Sequence, residues 1–158
     1  MTTFRRATPA DVPVLLGFLG QMAAEAGEET GSTEASLLAH GFGPAPRFHA
    51  LIAESAAPLG MIVYFPEYST WRGEMGLFVQ DVYVAPQGRG FGLGRKLLAA
   101  AMAEARAEPH WQPQFLTLMV AHQNQNARAF YAALGLTLRD EADQLILEGA
   151  GLEALMTA

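Results

Sequence analysis

The residues with the clearest chemical meaning lie in a short glycine-rich segment near the middle of the chain. Its glycines stand at positions 88, 90, 92 and 94, and the basic residues beside them are Arg89, Arg95 and Lys96. Glycine lets a backbone bend sharply and approach a ligand without an intervening Cβ. An apolar run ends at Val84 and a Leu/Ala-rich run follows, so the pattern predicts a strand, a tight turn and a helix. Main-chain amides at such a helix start, flanked by cations, suit a pyrophosphate.

The segment departs from two familiar phosphate-binding patterns. The dinucleotide fingerprint G-x-G-x-x-G fails in every register, because Leu93, Arg95 and Leu97 stand where its third glycine must be. No Gly-Lys-Ser/Thr occurs, which excludes a P-loop. A purely structural strand–helix turn is the alternative, and alternating glycines flanked by arginine favour the phosphate site.

Residues 84–98 resemble the acetyl-CoA-binding motif of the GNAT superfamily of acetyltransferases, through Val84-x-Pro86-x-x-Arg89-Gly90-x-Gly92-x-Gly94. The resemblance implies acetyl-CoA as the acyl donor, with its pyrophosphate on residues 90–95 and its pantetheine arm along the preceding strand. The cofactor-binding residues that it implies are Val82, Tyr83, Val84, Arg89, Gly90, Phe91, Gly92, Leu93, Gly94 and Arg95.

A second segment, residues 124–135, resembles the family stretch N-x-x-A-x-x-F-Y-x-x-x-G. The resemblance implies that Asn124 and Ala127 contact the cofactor arm and that Tyr131 lies near the thioester sulfur. A phenol there can donate a proton to the leaving thiolate, so Tyr131 is the candidate general acid. The alternative is that Phe130, Tyr131 and Leu134 only form the apolar face of a helix.

The acceptor side resembles the diamine (spermidine/spermine-like) subgroup, in passages such as residues 6–11, 41–44 and 68–73. The subgroup has Glu-Asp where this chain has Gln80-Asp81, and the aromatic and acidic features at Gln123, Gln144 and Ala26 also differ. These differences concern the acceptor side and leave the cofactor assignment unaffected. The residues predicted to bind the acceptor are Glu25, Trp71, Gln80, Thr117 and Met119. Trp71 either lines this pocket or packs in a loop.

The predicted catalytic residues are Tyr131, Asp81 and Gln80. Gln80 cannot act as a base, since an amide only donates and accepts hydrogen bonds. Asp81 can accept the proton of the amine through water if its side chain faces the cleft. On a regular strand Gln80 and Asp81 point to opposite faces, so both reach one cleft only if the strand carries a bulge. His122 is the other candidate base, or else a solvated loop histidine.

The amino-acid composition of the chain limits the kinds of molecule that it is expected to bind. The formal net charge of −6 argues against nucleic acid, which needs a clustered basic surface. The absence of cysteine excludes disulfides, thiolate metal sites and a Cys nucleophile. His40, His49 and His110 form no recognisable ligand set, so no metal is expected. No apolar stretch is long enough to span a membrane and no signal peptide is recognisable, so a cytoplasmic protein is predicted.

The element pattern predicts one mixed α/β domain over residues 1–158, with a GNAT fold whose central sheet is mostly antiparallel. Strands are predicted at residues 3–7, 48–53, 59–65, 74–84, 115–120, 136–138 and 145–147. Helices are predicted after Pro9, at residues 33–40, 92–107 and 127–134, and as a turn after Gly151. The resemblance also implies a homodimer.

These inferences predict an acetyl-CoA-dependent N-acetyltransferase that acts on the primary amine of a small molecule, polyamine or amino-acid-like, by direct attack. Two alternatives stay open. One is a non-catalytic acyl-CoA-binding or sensor protein, motivated by Gln80. The other is a peptide or protein N-acetyltransferase, which differs only in the acceptor groove.

Overall fold

A computed structural model describes residues 1–139 and 144–156. It divides into two compact units, Met1–Met119 and Val120–Ala158, which are described separately. The strands of the first unit are β1 (Thr3–Arg6), β2 (His49–Glu54), β3 (Pro58–Ser69), β4 (Glu74–Val84) and β5 (Phe115–Leu118). Its helices are α1 (Val12–Ala26), α2 (Glu34–Phe42) and α3 (Leu93–Ala107).

The five strands form one sheet in the order β1-β2-β3-β4-β5. All neighbours are antiparallel except β4 and β5, which run parallel. The parallel pair requires a crossover, and α3 supplies it between β4 and β5. This architecture confirms the predicted mixed α/β fold with a mostly antiparallel sheet.

Helices α1 and α3 cover opposite faces of the sheet. Met61 of β3 belongs to the buried cluster that includes α1 residues, whereas a Cβ on its neighbour Gly60 would lie 3.5 Å from Leu97 of α3. Successive residues of a strand alternate between faces, so the two contacts locate the two helices. Val12, Leu15 and Leu19 are buried on α1 at the helical spacing that the sequence predicts.

The two ends of α1 are set by local chemistry. Asp11 precedes the helix, and its carboxylate accepts hydrogen bonds from the Thr8 amide and hydroxyl, both at 2.8 Å. Arg5 of β1 donates to both Asp11 oxygens at 2.8 Å, which ties the helix start to the sheet. At the other end Gly27 adopts φ 73°, the left-handed conformation that ends many helices.

Strand β4 contains a single-residue bulge at Gln80. Val63 of β3 pairs with Asp81, and the next residue, Tyr64, pairs with Val79, so Gln80 has no ladder partner on β3. A residue inserted in this way shifts the alternation of side chains. Val79 and Asp81, two apart in sequence, therefore face opposite sides of the sheet.

The second unit contains α4 (Gln125–Ala133) and α5 (Ala150–Met156). The prediction of strands at residues 136–138 and 145–147 is wrong, because both segments are irregular. Their side chains lack the half-buried alternation of a paired strand: Leu145 and Ile146 are 91% and 79% exposed. Short leucine-rich runs look alike in strands and in exposed connections. The prediction of a single domain over the whole chain stays a prediction.

Candidate active site

The glycine-rich turn follows β4 directly and leads into α3. Gly90 and Gly92 have φ of 85° and 69°, in the left-handed region that favours glycine. A Cβ at either position would meet nothing within 4 Å, so space is open above this backbone. Gly88 has a different role: it is buried, and a Cβ there would lie 3.1 Å from the carbonyl oxygen of Leu59. The turn therefore combines one packing glycine with two that let the chain bend around open space.

The start of α3 has the character of an anion site. Its N-cap is Gly92, which has no side chain to accept hydrogen bonds from the first turn. The amides of that first turn and the positive end of the helix dipole face the open space beside the turn. Arg95 and Lys96 add two exposed positive charges on the same turn. These residues fit the diphosphate of a coenzyme A.

Strand β4 also offers an edge for an extended ligand. Its pairing with β5 covers only Gly76–Val79, and β5 ends at Leu118. Within the sheet of the described residues, the part of β4 from Gln80 to Val84 has a strand neighbour on the β3 side alone. An amide-containing arm can add to such an edge by main-chain hydrogen bonds. The predicted cofactor-binding strand, Val82, Tyr83 and Val84, lies on this stretch.

Arg89, predicted to bind the donor, pairs with Glu25, predicted to bind the acceptor. The Nη2 of Arg89 donates to Glu25 Oε1, and its Nε donates to the Val84 carbonyl at 2.9 Å. The Tyr83 hydroxyl donates to the same Glu25 oxygen at 3.0 Å, and the Arg89 guanidinium lies 5.7 Å from the Tyr83 ring centre. The bond from Arg89 holds the pKa of Glu25 below its usual value. The network joins the end of α1 to the glycine turn.

A cavity of about 440 Å³ lies beside α1 and the loop that follows it. Its apolar wall comes from Leu15, Leu19, Met22, Leu37, Phe48 and Val63. Its polar lining comes from Gln80 and Asp81 of β4 and from Glu28, Glu29, Thr30 and Ser32 of the loop. An apolar wall with a few converging polar groups is the usual form of a small-molecule pocket.

Gln80 and Asp81 both line this cavity, which a regular strand would not allow. The bulge at Gln80 supplies the irregularity that lets two consecutive side chains reach one space. Burial among apolar side chains raises the pKa of Asp81, because desolvation disfavours the carboxylate. A half-buried carboxyl with a raised pKa, beside an amide that can orient a substrate, can bind an ammonium group and accept its proton.

The loop carboxylates were missed by sequence reasoning. The sequence predicts no role for residues 27–32, which separate the first two helices, yet Glu28 and Glu29 line the cavity there. The signal was available: two adjacent acidic residues in a short connection between helices that share an apolar face. Their negative charge, together with Asp81, makes the cavity suited to a cationic ligand.

The other predicted acceptor residues are not among those lining the cavity. Trp71 lies in the turn between β3 and β4 and is 99% exposed, so it is neither packed in a loop nor part of this cavity wall. The Thr117 hydroxyl of β5 donates to the carboxylate of Glu67. Met119 follows β5 and is 60% exposed. A hairpin tip and a strand end are positions where sequence offers little guidance to what a side chain contacts.

The predicted residues of the second unit lie on or next to α4. Asn124 is the N-cap of this helix, and its side-chain oxygen accepts from the Ala127 amide at 3.0 Å. The Tyr131 ring lies 5.1 Å from the ring of Phe130, and both side chains are partly buried. His122 is exposed just before the helix. The sequence placed the helix start at Ala127, and the asparagine cap extends it to Gln125. The roles of Asn124, Ala127 and Tyr131 stay predictions.

We expect Gly90→Ala to weaken CoA binding and to lower the free energy of unfolding by about 1–2 kcal/mol, because Gly90 has φ 85°. Gly17→Ala is the matched control: Gly17 lies on α1, where an added methyl meets nothing within 4 Å. That variant should gain stability by about 0.5–1 kcal/mol with CoA binding unchanged. Urea unfolding and calorimetry measure both quantities. Equal stability and CoA affinity in Gly90→Ala and the parent chain would contradict the assignment of this turn.

Two kinds of feature are absent from residues 1–139 and 144–156. No group of three or more His, Cys, Asp or Glu side chains is arranged there to hold a metal ion. No helix of this part of the chain combines the length and the apolar character that crossing a membrane requires.

Comparison with known proteins agrees with this geometry. Residues 19–136 match the acetyltransferase (GNAT) family. Thialysine N-epsilon-acetyltransferase of Bos taurus is 35% identical over 120 residues, which are 70% of this chain and 68% of that protein. Spermidine/spermine N(1)-acetyltransferase-like protein 1 of Homo sapiens is 32% identical over 104 residues, which are 60% of this chain and 15% of that protein.

Among solved structures, an integron cassette protein from the mobile metagenome of V. cholerae superposes with a TM-score of 0.80 at 20% identity, covering 99% of this chain and 98% of that one. At that identity the likeness concerns the fold alone. The sequence matches to the thialysine and spermidine/spermine acetyltransferases agree with the predicted diamine acetyltransferase subgroup. The chain therefore belongs to the GNAT family of acetyltransferases and is an acetyltransferase enzyme.

Proposed function

We propose that this enzyme transfers an acetyl group from acetyl-CoA to the primary amine of a small, cationic molecule with an aliphatic arm. The observation that carries the proposal is the cavity in which Gln80 and the half-buried carboxyl of Asp81 stand against an apolar wall. An ammonium group pairs with the carboxylate, and the apolar wall accommodates methylene groups. The names of the curated relatives, thialysine and spermidine/spermine acetyltransferases, refer to acceptors of this kind.

Donor binding is assigned to the glycine turn and to the edge of β4. Amides of residues 90–95 hold the diphosphate, with Arg89 and Arg95 as cations, and the Val82–Val84 main chain pairs with the pantetheine arm. Acetyl-CoA supplies the activated acetyl thioester when it is bound. A main-chain N–H near Val82 donates to the acetyl carbonyl oxygen and stabilises the negative charge that develops there.

The acceptor amine reaches the enzyme as an ammonium ion and must lose a proton before it can attack. Asp81 accepts that proton, directly or through one water, and its raised pKa makes it a better base than an exposed aspartate. Gln80 cannot take a proton, so its part is to orient the amine by hydrogen bonding. Tyr131 donates a proton to the leaving thiolate, and its phenolate regains the second proton that the amine nitrogen loses, directly or through water. This assignment rests on the motif of residues 124–135. No covalent enzyme intermediate is needed, which suits a chain without cysteine.

The second candidate function is a non-catalytic acyl-CoA sensor. The observation that favours it is Gln80, which stands where the resembling subgroup has a glutamate. Asp81 weighs against it, because a sensor has no need of a half-buried carboxyl in a cavity apart from the glycine turn. The cytoplasmic location and the homodimer implied by the resemblance stay predictions.

One experiment tests the proposal. Purified protein is incubated with acetyl-CoA and a panel of diamines, lysine analogues and N-terminal peptides, and acetylated products are identified by mass spectrometry. We expect small amines with an aliphatic arm to gain 42 Da and peptides to remain unmodified, because the cavity volume of about 440 Å³ suits a metabolite. Calorimetry with CoA is run on the same sample. Tight CoA binding without acetylation of any amine would favour the sensor, and no CoA binding would refute both functions.

A further inference from the structure

The carboxylate of Glu25 is paired with Arg89, a cation that the proposed donor site needs in order to hold the diphosphate. Arg89 stands beside Gly90 in the glycine turn, and its guanidinium pairs with Glu25 Oε1. Both side chains are 49% exposed, so the pair lies at the surface of the site and not in the core. The diphosphate proposed to lie on this turn would approach the same guanidinium.

Glu25 is held in this position by more than Arg89. The Tyr83 hydroxyl donates to it at 3.0 Å and also lies 3.3 Å from Gln21 Oε1, one helical turn earlier. Tyr83 itself is anchored, since its ring is buried 5.6 Å from the ring of Phe18. An anion at Glu25, the next-to-last residue of α1, is unfavourable, because the last turn of a helix carries partial negative charge. The positive charge of Arg89 offsets this unfavourable interaction of the Glu25 carboxylate with the helix dipole.

We propose that Glu25 is a displaceable internal occupant of the diphosphate site, which weakens CoA binding and speeds the release of CoA after the reaction. A diphosphate carries more charge than a carboxylate and takes over the guanidinium when it binds. The free energy needed to break the Glu25–Arg89 pair then makes the free energy of CoA binding less favourable. Release of CoA restores the pair, so the carboxylate competes for Arg89 as the product leaves. The inference rests on the proposed CoA site.

The test replaces Glu25 by glutamine, which removes the charge and keeps an oxygen that can accept from Tyr83 and Arg89. We expect Glu25→Gln to bind CoA about threefold more tightly by calorimetry and to release it more slowly by stopped flow, in the range typical of an exposed ion pair. Glu34→Gln, on the exposed first turn of α2, removes the same charge elsewhere and should leave CoA affinity unchanged.

A double-mutant cycle separates competition for Arg89 from a general charge effect. In the Arg89→Gln background the gain from Glu25→Gln should disappear, because no guanidinium remains to compete for. A gain that persists there overturns the proposal in favour of long-range repulsion. Unchanged or weaker CoA binding by Glu25→Gln overturns it as well, since Glu25 would then be idle or would position Arg89. If the parent chain binds no CoA, the donor site itself is refuted, which is a different failure.

Discussion

Replacing Asp81 by asparagine is expected to lower the turnover of amine acetylation by about 100-fold or more, the usual size of a lost general base. The affinity for CoA should stay the same, because the Asp81 side chain lines the acceptor cavity and not the glycine turn. Asparagine keeps the size of the side chain and removes its ability to accept a proton. Steady-state kinetics with the best amine of the panel and calorimetry with CoA give the two readouts.

The pH dependence sharpens this test. Burial raises the pKa of Asp81, so kcat/KM should rise with pH as this carboxyl loses its proton, above the range of an ordinary aspartate.

A carboxyl whose pKa is higher in the folded than in the unfolded chain binds protons better when folded. Its contribution to stability is therefore present at low pH and lost as the pH rises through the folded pKa. Asp81→Asn should consequently be more stable than the parent chain at neutral pH.

Glu29→Gln is the matched control for Asp81, since it also removes a carboxylate from the cavity lining. We expect a higher KM for a cationic amine and a nearly unchanged kcat, because this loop group attracts the substrate without accepting its proton. Full turnover in Asp81→Asn would remove Asp81 from its role. His122, the other candidate base in the sequence, would then be the next residue to replace.

Replacing Tyr131 by phenylalanine is expected to lower kcat by about 100-fold, because the phenol is the proposed proton donor to the departing thiolate. Loss of one hydroxyl should change the affinity for CoA far less than the turnover. Single-turnover kinetics with acetyl-CoA separate the chemical step from binding and release.

Tyr68→Phe is the matched control, since it removes a phenol that is 58% exposed near the end of β3. Its kinetics should equal those of the parent chain. A Tyr131→Phe variant with unchanged kcat would show that the phenol hydroxyl is not the proton donor to the thiolate. An acyl donor with a thiol of lower pKa offers a further check, since its thiolate leaves without help and should reduce the effect of the substitution.

Features encoded by neighbouring residues could be predicted from the sequence. The bounds of β4 coincide with the predicted strand, because a mostly apolar run rich in strand-forming residues ends two positions before a proline, Pro86. The strand–turn–helix around Gly90 and Gly92 was predicted in the same way, since few residues tolerate a positive φ. The donor side of the site depends mostly on such local chemistry.

Features that depend on distant residues could not be predicted. The bulge at Gln80 exists only as a register shift against β3, which no property of β4 alone reveals. The Glu25–Arg89 pair joins residues far apart in sequence, and each was assigned to a different substrate. The leucine runs of residues 136–138 and 145–147 show the opposite error, because local strand propensity does not supply a pairing partner.

Because Gln80 is an extra residue in β4, this strand should tolerate substitution at that position better than deletion. Replacing Gln80 by another polar residue leaves the ladder in register, so the chain can vary there and adjust which amine it prefers. Deleting the Gln80 codon would restore regular alternation with Asp81 still opposite Val63, and the cavity would lose the polar side chain at this position. Drift in acceptor preference among descendants of this protein should therefore proceed by substitution at Gln80, with the length of the strand held constant.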